Sequence, residues 1–433
     1  MTKQTYRKFI LHKGKVIGLI ILFLGNFCVC YSQEWIRYYG SADFQCVPST
    51  VSEHYDRGYL LVGNKADYKY AWLVKTDING NRLWDKKIGD GNSYQGIFYH
   101  SNTSDNGLII SGSWSKYGDQ MDALLIKLNK CGEVDWCTDF YTSEIPVDWG
   151  QNVVQTTDHG YIMLGLYNDG IHSTHLFKFD STGSLEWHKY YLPDSLGFGE
   201  SATNLAVDSA GLIITEYIYY PMPGQTGGWI RPYFIRTDLD GNEEWSSVYT
   251  NGGYYIGDAW ATARNNFGSF YNTGRHNAGY SHEHPVLIKL DSMGNDVFNR
   301  DLIENAEEGD ATSILLLHDT TLIIHGGWTI PNQDTIPCGV VKCDTMGNVI
   351  KTKKLPLYSR GWSSAKTFDD KLLFLDLKFI NDDFLMALTK LNLDLDYDTV
   401  YSQPLVYDSL CPGGIVSDTL DPDCNLVVNI DEP

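Results

Sequence analysis

Positive charge is scarce in this chain. Over 433 residues, 33 Lys and Arg stand against 54 Asp and Glu, a formal net charge of −21. A surface of that sign repels phosphate backbones, so no nucleic-acid partner is expected. Beyond the first 32 residues there is also no apolar run long enough for a membrane-spanning helix. Several catalytic signatures are missing: there is no Gly-x-Ser-x-Gly elbow, no phosphate loop and no His-Glu-x-x-His. No two cysteines are adjacent, and no cysteine spacing fits a zinc pattern.

The first 32 residues differ from the rest. Lys3, Arg7, Lys8, Lys13 and Lys15 form a positive front, Val16 to Val29 an apolar core, and Ser32 a small residue before a cut at Ser32/Gln33. That is the layout of a secretory signal peptide. An uncleaved anchor is disfavoured because the run falls short of the ~20 apolar residues a spanning helix needs. A lipoprotein reading through Cys28 or Cys30 lacks a good small-residue lipobox. Removing the leader takes away five positive charges and no acids, leaving −26. The mature chain is expected to be a soluble monomer open to cations or basic partners.

Seven cysteines follow the leader: Cys46, Cys131, Cys137, Cys338, Cys343, Cys411 and Cys424. Export permits bridges, and the odd count leaves at least one free thiol. Cys411 and Cys424 close a short loop in a Pro/Gly/Asp-rich tail and are expected to pair. Cys338 and Cys343 lie on one predicted strand, on opposite faces and ~16 Å apart, so they cannot bridge directly.

What the chain has in abundance is a repeated phrase. Lys75-x-Asp77-x-x-Gly80-x-x-x-Trp84 recurs with its cation at Lys127, Lys178, Arg236, Lys289, Lys342 and Lys390, in steps of 52, 51, 58, 53, 53 and 48 residues. Its Gly is Gly80, Gly132, Gly183, Gly241, Gly294 and Gly347, and is lacking in the seventh copy. Its Trp is Trp84, Trp136, Trp187 and Trp245, decaying to Phe298 and Ile350. A second landmark lies upstream in each copy: DRGYLLVG (56–63), DNGLIISG (105–112), DHGYIMLG (158–165), then drifted forms to DDKLLFLD (369–376). A period near fifty repeated seven times marks a stacked or circular repeat protein.

Each copy reads as four strands. GYLLVG is a short buried strand bounded by glycines, and Asp-x-Gly before it a tight turn in which Gly accepts positive φ. The segment around Lys75 is the next strand. Asp-x-x-Gly is a hairpin turn with Gly in the left-handed position, and the strand carrying Trp follows. A further strand precedes each Asp-x-Gly turn. The expected fold is therefore all-β, a seven-bladed β-propeller of four-stranded antiparallel blades. Packing blades in a ring buries both faces of each sheet, with Trp wedged between neighbours. Asp77-x-Asn79-Gly80-Asn81 glances at a calcium loop but lacks the downstream Glu, and turn chemistry accounts for it. EWIRYYG (34–40) looks like a lone last strand that completes the seventh blade, and YDTVY (397–401) competes for that slot.

The phrase resembles the tryptophan-docking repeat of pyrroloquinoline-quinone-like propellers. Paired with the DGGY-like landmark, it looks still more like the repeats of exported bacterial surface proteins, which often end in a type IX secretion sorting domain. The resemblance covers residues 34–405. It implies the fold and a place outside a Gram-negative cell, secreted or at its surface. The tail, 408–433, looks like the linker before a sorting domain. A quinone enzyme would imply a cofactor, but no set of quinone and calcium ligands is found, so only the fold is carried over and no cofactor is expected. The chain then divides into a signal peptide (1–32), the propeller (33–405) and a Cys-containing tail or linker (406–433).

Variable loops on a rigid scaffold are where binding usually lives. One face collects loops 64–70, 113–122, 216–233, 275–285 and 327–337, with blade links carrying Trp149, Glu200, Trp260, Asp310 and Trp362. Candidate ligand-binding residues are Trp149, Tyr219, Tyr220, Trp229, Trp260, Asp310 and Trp362, since aromatic faces beside acids suit sugar rings or cationic groups. His282-Glu283-His284 is the compact metal-like cluster, but no third ligand is evident and no metal is expected. The first reading is a secreted, non-catalytic propeller that binds a glycan or protein at the cell exterior. The second is a glycan-active enzyme with acids at the channel mouth; the third is a purely structural repeat module.

Overall fold

The computed structural model describes residues 34–426 except 42–43, 66, 116–120, 141–146, 168–173, 192–197, 222–227, 250–255, 278–282, 332–335, 360, 381–382, 400–410 and 412–415. The leader lies outside the described residues. Those residues form seven four-stranded antiparallel blades, and none of them is helical. Blade one runs Cys46–Glu53, Tyr59–Lys65, Ala71–Thr76 and Arg82–Ile88 from the axis outward, and the next five repeat that order.

Blade seven is closed by the other end of the chain. Its own strands are Ser363–Lys366, Lys371–Ile380 and Asp383–Asn392, and Ile36–Tyr39 adds the fourth. Ile36 pairs with Thr389 and Lys390 donates its amide to Trp35 O at 3.1 Å, so Trp35 faces Lys390 as Trp84 faces Lys75. The 34–40 segment is the closing strand, and Tyr397 makes only an isolated bridge to Leu391.

The repeated phrase resolves into two interlocks. In the first, the ring of each Trp lies over the turn Gly of the next blade. A Cβ built on Gly183, which sits at φ 85°, would lie 2.6 Å from Trp136 Cε3. Gly is therefore required twice, by the left-handed backbone and by the indole above it. The same relation joins Trp35 to Gly80, Trp84 to Gly132, Trp187 to Gly241 and Trp245 to Gly294. The sixth copy departs. Lys351, not Ile350, faces Lys342, while Ile350 is the bulged residue and is 59% exposed. The sequence spacing was misread there by one residue. Lys351 Nζ instead reaches Asp394 O and Asp396 of the seventh turn, where Leu395 takes the glycine's place at φ 61°.

The second interlock explains the cation. Lys75 pairs with Asp56 at 2.7 Å, Lys127 with Asp105 at 2.7 Å, Lys178 with Asp158 at 2.9 Å and Arg236 with Asp208 at 3.0 Å. Each joins the third strand to the turn between the first two. The glycine of that turn is not the positive-φ residue expected. Arg57, Asn106 and His159, one position earlier, take that conformation. Gly160 is there because a Cβ would lie 2.4 Å from the backbone oxygen of Phe179 and would also crowd the crossing Lys178 Nζ.

The tail is not a free linker over its described length. Asp418–Leu420 adds a parallel strand outside Arg82–Ile88, and Asn425–Leu426 another outside Val134–Asp139. The expected Cys411–Cys424 bridge is overturned. Cys411 is joined to Cys131 and Cys424 to Cys137, both on blade two, while Cys46, Cys338 and Cys343 are free and buried. Short-range spacing favoured the wrong pair, because the tail runs along the blade and each Cys meets the blade's outer hairpin first. The covered edges present fewer unpaired strand groups to solvent.

Candidate functional site

The innermost strands share one irregularity. Against its second strand, each of the first six carries a bulge at the same place, leaving Ser49, Phe98, Gln151, Thr203, Trp260 and Thr312 without a ladder partner. A bulge re-aims the extra side chain. All six border one cavity of about 850 Å³ framed by the inner strands of all seven blades, and Trp362 holds the corresponding place in blade seven. In five of the six blades the glycine that ends the upstream landmark faces the bulge, and in blade four Glu216 stands there instead. Gly274 opposes Ala259 at the bulge, and a Cβ there would lie 1.9 Å from Asp258 O. Glycine within a strand often marks such an approach.

The bulged residues divide by chemistry. Ser49 Oγ donates to Ile97 O at 2.8 Å and Thr203 Oγ1 to Ala259 O at 2.9 Å, each tying its blade to the next. Phe98, Gln151, Trp260 and Trp362 are left to give the cavity its character, and the Trp362 side chain is 42% exposed. Asp310, on blade six between the two tryptophan blades, borders the same cavity and is buried. Its counterpart on blade five, Asp258, is held by Arg275, whose Nε lies 3.0 Å from both carboxylate oxygens; Arg275 also donates to Glu283 at 2.8 Å. Burial pushes the Asp258 carboxyl up to about 6; Arg275 opposes the rise and Asp310 adds to it.

Of the residues singled out from sequence, Trp260, Asp310 and Trp362 come together at this cavity. Trp149 and Tyr220 instead pack against the apolar cluster shared by blades three and four. Tyr219 is exposed on the long hairpin of blade four. The side chains of Trp229 and Glu200, and His282 of the proposed metal cluster, lie outside what the structure describes. Ser49, Phe98, Gln151, Thr203 and Thr312 were missed; the closing glycines of the upstream landmark were the signal for all of them but Thr203, whose blade has Glu216 at that position. Among the described residues, the one group of His, Cys and carboxylate side chains close enough to share a metal is His325, Cys338 and Asp376, between blades six and seven.

No family model and no curated protein sequence matches the chain. Solved structures do. An ulvan lyase of a polysaccharide-lyase family, bound to a glucuronic acid–sulfated rhamnose unit, is similar at 10% identity with a TM-score of 0.55, over 83% of this chain and 99% of that one. Drosophila Semaphorin 1a, extracellular domains 1-2, is similar at 8% identity with a TM-score of 0.51, over 82% and 88%. At these identities the likeness is one of fold.

Proposed function

We propose that this protein is an exported, non-catalytic propeller that binds a carbohydrate at the channel mouth. The observation that carries the reading is that Trp260, at the bulge of blade five, and Trp362, just before the first strand of blade seven, border one cavity two blades apart, with Asp310 between them. Indole faces stack on the C–H faces of sugar rings, and a carboxylate accepts from sugar hydroxyls. The strongly acidic chain favours neutral over anionic glycans. Two disulfides fit an oxidising compartment. With the leader and the tryptophan-docking phrase, they support a place outside a Gram-negative cell, secreted or surface-held. The division into leader, ring and tail belongs to the same proposal.

A second reading is cleavage of the bound glycan. It is favoured by one observation, the proximity of the buried carboxyls of Asp310 and Asp258, one of them raised. Against it, Asp258 is held by Arg275. The experiment is a glycan array on the mature protein, followed by incubation of each hit and a search for product. Binding without product supports the first reading. Product that disappears in Asp310→Asn supports the second, and no hit in either assay leaves only a structural module.

A further inference from the structure

The interface between blades six and seven is the one at which Lys351 stands where the first five blades carry tryptophan or phenylalanine. Another group of side chains meets across it. His325 comes from the second strand of blade six, Thr321–Thr329, and Cys338 from its third, Pro337–Asp344. The pairing of Gly327 with Cys338 puts His325, two residues away, on the same face. Asp376 comes from Lys371–Ile380 of blade seven. All three side chains are fully buried. His325 Nε2 lies 3.1 Å from Cys338 Sγ and 3.2 Å from Asp376 Oδ1, and Sγ lies 2.9 Å from the same oxygen. The surroundings are dry: the Phe374 ring is 5.0 Å from the imidazole, and Cys338 belongs to an apolar cluster with Val340 and Ala387. Asp376 Oδ2 and His325 Nδ1 have no hydrogen-bond partner there.

We infer that His325, Cys338 and Asp376 hold a structural zinc ion that pins blade six to blade seven. The donors would be Nε2, the Cys338 thiolate and the Asp376 carboxylate, whose two oxygens together would fill one corner of the coordination sphere, leaving the fourth to a water. Tetrahedral zinc needs donors about 3.3–3.7 Å apart, a few tenths of an ångström wider than the triangle seen. The charges cancel, since one thiolate and one carboxylate balance Zn²⁺, so no net charge is left in the dry interface. The thiol proton leaves to solvent on binding. Thiolate and imidazole favour zinc over calcium or magnesium. The inference is independent of what the channel binds.

The test uses the full mature chain, stripped with chelator and reloaded with zinc or cobalt(II). Metal content, the thiolate-to-cobalt charge-transfer band and thermal melting are read on wild type, Cys338→Ser and the control Cys343→Ser. The expected result is about one zinc per chain in wild type and Cys343→Ser, a charge-transfer band in both, and a melting temperature that falls on stripping. Cys338→Ser loses metal and band, and chelator no longer lowers its melting temperature. Less than about a tenth of an equivalent after reloading, or full metal and band retained in Cys338→Ser, overturns the inference. If Cys338→Ser does not fold, the wild-type cobalt spectrum decides: a thiolate band supports the site and its absence overturns it.

Discussion

The indole of Trp35 covers Gly80, so the first described strand of the chain locks onto the turn between the third and fourth strands of blade one with the contact that Trp136 makes to Gly183. Closure is thus one more copy of the blade-to-blade contact. Trp35 is 1% exposed, whereas Trp136 is only partly buried. Trp35→Ala is expected to destabilise by about 3–5 kcal/mol and Trp136→Ala by about 2–3 kcal/mol in urea melts. Equal and small losses for both would show that the indoles do not carry the interlock.

The disulfides make a chemical prediction. Peptide mapping without reduction is expected to recover Cys131 linked to Cys411 and Cys137 linked to Cys424. Reduction frees the tail strands from blades one and two, so limited proteolysis near residue 416 should accelerate several-fold. A recovered Cys411–Cys424 peptide would contradict the docked tail.

Glu216 sits fully buried on the second strand of blade four, and burial pushes its carboxyl up to about 8. In the unfolded chain it ionises near its ordinary value, 4.5. Between those values the unfolded state holds fewer protons, so stability falls as pH rises from 4.5 to 8. Glu216→Gln is expected to flatten that part of the pH–stability curve and to raise stability at pH 9 more than at pH 5. An unchanged slope would place the charge elsewhere.

Asp56 behaves in the opposite sense. Burial alone would raise its carboxyl, but the His54 ring, whose Nδ1 lies 3.7 Å away, and pairing with Lys75 outweigh it and hold it at about 2. Its folded value lies below the unfolded one, so its contribution is present above pH 4 and is lost as pH falls toward 2. Asp56→Asn should weaken the acid limb of the stability curve and leave the limb above pH 5 parallel to wild type. A curve parallel over the whole range would contradict this.

Most of the ring was legible because its rules are local. The turn at Asp77–Gly80 and the strand at Arg82–Ile88 lie within one phrase, and the phrase repeats. The sixth copy was misread because Val349, Ile350 and Lys351 offer no aromatic to fix the register. Cys411 was mispaired because its partner is 280 residues away. The bulges were half visible. Gly274 and its equivalents were read as strand boundaries, although their role is to let Asp258 O and its counterparts approach. His325, Cys338 and Asp376 have no spacing pattern at all, since they meet only when blades six and seven pack.

The most direct test of the account is calorimetric titration of an array-selected neutral glycan into wild type, Trp260→Ala and Trp362→Ala, with melting temperatures measured alongside. The account predicts saturable binding by wild type and a loss of roughly tenfold or more in each variant, about 1.4 kcal/mol or greater, without unfolding. Wild-type affinity retained in both variants would contradict it.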